Sequence, residues 1–276
     1  MTHSASFHRS YDLADLYFAV EQAASETLFP GFQFVQDQER GIYLPASKKV
    51  LHFCSKGYRL VPNRQIMEPI HDALTQRYGE AGFDTQVQHF DHRKFYVSFV
   101  VRAVEWEIAP GDVLHPSLEI RNSYDGSLKF SLARGCFRPR STAHLMAFDE
   151  PVAGEKKHSQ RHGPRPSVKA IDALEKKESL LATLQALHAV RLDPAQVTAW
   201  AGEVLQQTPY PRRLITDAAH QLYAESDAWG SPLSAWLFYC AFNEILYRAD
   251  ISMHPEFRAR IDAGLLAWIQ RKVLEG

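Results

Sequence analysis

SLEIRNSYDGSLKFSLARGCFR, Ser117 to Arg138, is the stretch whose reading decides the fold, because strand alternation, turn chemistry and clustered charge coincide only there. Leu118, Ile120 and Asn122 alternate with Glu119, Arg121 and Ser123, and Leu128, Phe130 and Leu132 alternate with Lys129, Ser131 and Ala133. That period of two predicts a β-hairpin of half-buried strands. A two-residue Asp-Gly loop would set Ile120 opposite Ser131 and mix the faces, which register rules disfavour. A three-residue loop of Tyr124, Asp125 and Gly126, with Gly126 left-handed in a bulge, instead pairs Leu118 with Leu132 and Ile120 with Phe130 and sends the charges to the other face.

Working outward, the chain has 276 residues and 45% hydrophobic content, enough for one large domain or two smaller ones. Thirty-one Lys and Arg against 32 Asp and Glu leave no global field, so binding to nucleic acid or membrane would need a local patch. Cys54, Cys136 and Cys240 are far apart and form no CxxC pair, which argues for reduced thiols and a cytoplasmic location. The N-terminus shows no secretory pattern, and no stretch is apolar over a bilayer's span.

Helical spacing predicts a short helix over Tyr11 to Thr27. Two hairpins are expected next, Phe32–Val35 with Ile42–Leu44 and Lys49–Phe53 with Tyr58–Val61. Asn63 caps a helix to Tyr78, stopped by Gly79. Strands over Phe83–Phe90 and Phe95–Trp106 precede the central hairpin, and strands in meander order around one helix give an antiparallel α+β domain over residues 1–150. Pro151 to Ser167, rich in Pro, Gly and cations, reads as a linker. Residues 168–276 then read as helices packed on the first domain: Val168–Val190, a helix opening at Pro194 and ending before Pro209, Leu214–Ala224, Pro232–Ala249 and Pro255–Glu275. The fold class is α+β, an antiparallel sheet domain followed by an all-helical region.

The run GDVLHPSLEIRNSYDGSLKFSLARGCFRP, Gly111 to Pro139, resembles the phage- and plasmid-borne family known as domain of unknown function 932. Members carry an N-S-x-D-G-[ST] hairpin followed by an Arg, matched here by Asn122, Ser123, Asp125, Gly126, Ser127 and Arg138. The family's Cys-x-Asn continuation is replaced by Arg140-Ser141-Thr142-Ala143, so no role tied to it carries over. Ala235 to Asn243, AWLFYCAFN, is similar to the family's late aromatic helix. The resemblance covers Val50 to Arg248 and implies a mobile-element setting without an activity.

In the register above, Arg121 faces Lys129, an unfavourable pair unless an anion neutralises it. Arg134, Arg138 and Arg140 extend the positive line and Arg93 and Lys94 flank it, which together suit a nucleic-acid backbone. Tyr124 at the turn tip is expected exposed, where a base would stack. The competing reading pairs Glu119 with these cations and makes Arg138 a residue holding loop carbonyls. Asp125 and Gly126 are structural turn residues, and Asn122, on the apolar face, ties the hairpin to a neighbour. His158 and His162 lie i, i+4 in the linker without further ligands, so no metal is expected, and no glycine-rich loop or nucleophile elbow implies a cofactor or a catalytic residue.

These features predict a mobile-element accessory protein that binds nucleic acid, single-stranded DNA above all, through the hairpin. The alternatives are a metal-dependent nuclease using Asp112, Glu119 and Arg121, or a scaffold that pairs with itself or a host protein through the C-terminal helices.

Overall fold

The computed structural model describes residues 12–128, 130–140, 144–145, 169–174, 178–248, 251, 253 and 255–275. Two antiparallel sheets form the N-terminal part and helices form the C-terminal part, so the α+β expectation holds. The linker stretch, Lys129 and His158 with His162 lie outside the described residues.

The first sheet has the order β1 (Glu21–Ala24), β2 (Arg40–Leu44), β3 (Lys49–Cys54), with the one-turn helix α1 (Ser25–Leu28) after β1. The expected helix over 11–27 is thereby corrected: it is broken into a 3-10 turn at Leu13–Leu16 and the single turn of α1, with Glu21–Ala24 between them adding a strand to β2. The two expected hairpins likewise collapse into one, β2 with β3. Helix α2 (Asn63–Tyr78) has the expected bounds and ends at Gly79, whose φ of +75° suits glycine. Asn63 does not cap it; its amide donates instead to the Leu16 carbonyl at 3.1 Å.

The second sheet runs β4 (Asp84–Asp91), β5 (Lys94–Val100), β6 (Trp106–Ala109), β7 (Asp112–Ser123), β8 (Ser131–Phe137) and β9 (His144–Leu145), in the order β4-β5-β7-β8-β9 with β6 beside the start of β7. Strand β7 is its spine, pairing with β6 through Leu114 and with β5 from Ser117 onward. Pro116 sits where the partner changes, the one place in a central strand where a missing N–H removes no ladder bond on that side. Its carbonyl still accepts from the Val101 N–H at 2.9 Å.

The hairpin's register differs from expectation by two residues: Leu118 lies opposite Arg134, Ile120 opposite Leu132 and Arg121 opposite Ser131. The cause is a longer loop. The Ser123 hydroxyl accepts from the Leu128 N–H at 3.0 Å and contacts its carbonyl at 3.1 Å, closing the turn with a side chain where a ladder bond was expected. A shift of two preserves the faces, so Leu118, Ile120, Phe130 and Leu132 still point to one core, shared with Ile66, Met67, Ile70 and Leu74 of α2.

The C-terminal helices are α3 (Lys169–Leu174), α4 (Glu178–Ala189), α5 (Pro194–Gln207), α6 (Ile215–Trp229), α7 (Ala235–Tyr247) and α8 (Pro255–Glu275). The long helix expected over 168–190 is represented by α3 and α4, residues 175–177 lying outside those described. Helix α7 is apolar on every side and buried along nearly its whole length, as such a helix must be. Phe238 and Phe242 stack at 4.2 Å, and Trp200 meets Phe238 and Trp268 edge-on at 5.6 and 5.5 Å. This core also takes in Trp106, Ile108, Leu114 and Cys136 of the sheet, so the helices are built onto β6, β7 and β8.

Candidate nucleic-acid interface

The hairpin's odd-numbered face is not a solvent surface. Ser98 and Glu119 are buried on it, and Arg121 is half-buried and held by Glu119. The neutral Tyr247 hydroxyl, raised by burial, lies within electrostatic reach of Glu119 and Arg121, and the Glu256 carboxylate lies within reach of Tyr96. Arg121 also lies 5.8 Å over the Tyr96 ring. Its expected clash with Lys129 does not arise, since Ser131 stands opposite.

Tyr124 is 1% exposed, a correction to the expected stacking platform. Its hydroxyl accepts the Asn63 N–H at 2.8 Å, and Phe18 meets its ring edge-on at 5.9 Å. The Tyr58 hydroxyl donates to the Ser123 carbonyl at 3.3 Å, so the hairpin tip is a peg that fastens the first sheet to the second. Asp125 and Gly126 take the turn roles expected of them: the Asp125 carboxylate accepts the Ser127 N–H at 3.0 Å and its hydroxyl, and Gly126 has φ +69°. Asn122 is buried on the apolar face, opposite Phe95.

The remaining cations scatter. Arg134 pairs across from Leu118 and so lies on the face opposite to Arg121. Arg93 is exposed and Lys94 half-buried in the β4–β5 turn, where the Asp91 carboxylate accepts both backbone N–H groups at 2.6 and 2.8 Å. Arg140 lies 4.4 Å over the Trp229 ring.

Arg138 is 1% exposed and paired with two carboxylates. Its Nε and Nη2 donate to the two oxygens of Asp112 at 2.7 Å each, and Nη1 donates to Glu225 of α6. The Trp236 indole of α7 donates to Asp112 Oδ2 at 3.0 Å. Burial alone would raise the Asp112 carboxyl, but the bonds and charge of Arg138, aided by the indole, outweigh it and hold the group below its ordinary value. For Glu225 burial wins and the carboxyl is raised. The two acids and one guanidinium tie the spine strand to α6 and α7, and they leave Arg138 buried with its charge compensated. The nuclease arrangement fails on distance: Asp112 and Glu119 stand seven residues apart on one extended strand, roughly 23 Å at about 3.3 Å per residue. Cys136 is a buried member of the core rather than an accessible thiol.

Sequence reasoning missed an exposed aromatic face on the first sheet. Gly41 and Phe53 are opposite each other on β2 and β3, and Phe53 lies 5.8 Å from Phe29 and 5.6 Å from Phe34. Phe29 also meets Phe32 edge-on at 6.4 Å. The absence of a side chain at Gly41 makes room for this layer, since a Cβ there would stand 2.5 Å from Leu28 Cδ1. Phe32 is 68% exposed, and Val35 and Phe29 are exposed beside it. The signal was present in the run FPGFQFV, Phe29 to Val35, whose closely spaced rings sit outside any strand or helix. On the same sheet Arg40, Lys48 and Lys49 are exposed, and Lys48 holds a φ of +53°, uncommon for a residue with a side chain, at the β2–β3 turn.

No helix among the described residues is long and apolar enough to cross a membrane. Neither the curated proteins nor the solved structures contain a match to this chain. One family model does match, over residues 50–263, and its description is Domain of unknown function (DUF932).

Proposed function

Because the chain belongs to the DUF932 family, which carries no activity of its own to transfer, we propose a function from the protein's surface: it binds single-stranded nucleic acid on the first sheet. Phe32 and Phe29 stack bases, and Arg40, Lys48 and Lys49 attract the backbone. The observation that carries this reading is the exposure of Phe32 within a four-ring cluster. Large exposed apolar patches mark interaction sites, and exposed rings suit unpaired bases because every base offers a π-face. The contact is thus moved from the hairpin, where Arg121 and Arg138 are spent on carboxylates, to the neighbouring sheet that the hairpin tip fastens in place. Arg93, in the turn beside the hairpin tip, adds charge at this end of the molecule; its neighbour's backbone, the Tyr124 N–H, donates to its carbonyl at 2.7 Å. The resemblance to mobile-element proteins fits an accessory role in handling single strands.

The test is fluorescence anisotropy with a labelled oligothymidylate. Binding should fall steeply with salt. Replacing Phe29 and Phe32 together by Ala should weaken it at least about tenfold, given stacking of roughly 1–3 kcal/mol per base. Absence of binding at low salt, or an unchanged affinity in the double variant, refutes the proposal; a change in sedimentation of the double variant alone would assign the patch to a second copy of the chain.

A further inference from the structure

A second feature lies on the other side of the spine strand, where the β6–β7 turn, the end of α4 and the α6–α7 connection meet. A small cleft opens there, lined among others by Asp112, Arg138, Arg140, His188, Ser234 and Trp236, with room for a single small group.

Its chemistry is that of a donor set. Arg138 at the cleft wall is neutralised by Asp112 and Glu225. Arg140 makes no ion pair within 4 Å among the described residues: its guanidinium lies over the Trp229 ring, and its charge reaches Asp112 and Glu225 only from farther off, so its N–H donors stay directed at the cleft. It is seated over the β6–β7 turn by Gly111, where a Cβ would stand 2.8 Å from Arg140 Nη2. His188 is half-buried, and burial together with the nearby charge of Arg191 keeps its imidazole neutral, with one N–H to donate. The Ser234 hydroxyl accepts the Leu237 N–H at 3.2 Å as the cap of α7 and retains its own proton for a ligand. The positive end of the α7 dipole points the same way.

We propose that this cleft binds a small oxyanion, a phosphate or phosphate-monoester group, between the Arg140 guanidinium, the His188 imidazole and the capped N-terminus of α7. The site is separate from the aromatic face of the first sheet and stands or falls without it.

Isothermal titration of the full chain with inorganic phosphate tests the site. One saturable site is expected. Arg140→Gln should weaken it by roughly tenfold or more, as expected for losing hydrogen bonds to a charged group. Arg140→Lys should restore part of the affinity, and Gly111→Ala, which displaces the guanidinium, should weaken it again. Phe32→Ala should leave it unchanged. Thermal melts without phosphate establish that each variant is folded, and if Arg140→Gln is not, His188→Ala takes its place. A lack of saturable binding, or the same affinity in Arg140→Gln and His188→Ala as in the parent, overturns the assignment.

Discussion

Replacing Asp112 by Asn and Glu225 by Gln should have very different costs, although both acids bind the same guanidinium. Asp112 accepts two bonds from Arg138 at 2.7 Å and one from Trp236 at 3.0 Å. Asn keeps the shape but removes the charge and turns one acceptor into a donor facing a donor. Breaking a buried ion pair from one side costs roughly 3–5 kcal/mol. For a chain of this size each kcal/mol moves Tm by about 2–4 °C, so a fall of about 6–20 °C is expected by calorimetry. Gln at 225 still accepts from Arg138 through its carbonyl and relieves the burial that raises the Glu225 carboxyl, so the loss should stay under about 1.5 kcal/mol. The pH dependence separates the two further. Asp112 is depressed in the folded chain, so its contribution is complete above the unfolded value of about 3.9 and disappears as pH falls through the lower folded one. Glu225 is raised, so its contribution is complete below about 4.3 and is lost as pH rises through the folded value. Urea melts from pH 3 to 7 should therefore show an acid-side decline in the parent that Asp112→Asn lacks. Equal losses in the two variants, or a loss below about 1 kcal/mol in Asp112→Asn, would refute the reasoning.

Tyr124→Phe removes the acceptor of the buried Asn63 N–H and should cost about 1–3 kcal/mol in urea denaturation. Trp236→Phe keeps a ring in the core but takes the indole donor from Asp112, and should lower stability by about 1–2 kcal/mol, read by the same melts. Phe32→Ala should change stability by no more than about 0.5 kcal/mol, since the ring is exposed, so any loss of oligonucleotide binding in it is a loss of contact rather than of fold.

What the sequence made legible was local. The bounds of α2, α5 and α8 follow from Gly79, Pro194 and Pro255, residues that punctuate helices wherever they occur. The hairpin's faces follow from alternation, but its register depends on a serine hydroxyl replacing a backbone partner, which alternation does not encode. Strand β1, EQAA, carries no period-two signal and exists because β2 offers it an edge. The charge of Arg121 and Arg138 was visible, while its neutralisation was not: Glu225 is distant in sequence and reaches Arg138 only because α6 folds back onto the spine strand. Asp112, by contrast, lies close by in sequence, at the start of the Gly111–Pro139 run. The aromatic face escapes the sequence because Phe32–Val35 reads as a strand, which would turn alternate rings inward.

The change of partner at Pro116 means that one polypeptide segment contributes to both cores, its first residues to the helical side through Leu114 and its last to the α2 side through Leu118 and Ile120. Neither half can be cut away without opening the other. Separate expression of the strand-rich and helix-rich portions should give insoluble fragments, melting of the whole should show one transition, and surviving substitutions should be found at the rims rather than along this shared seam.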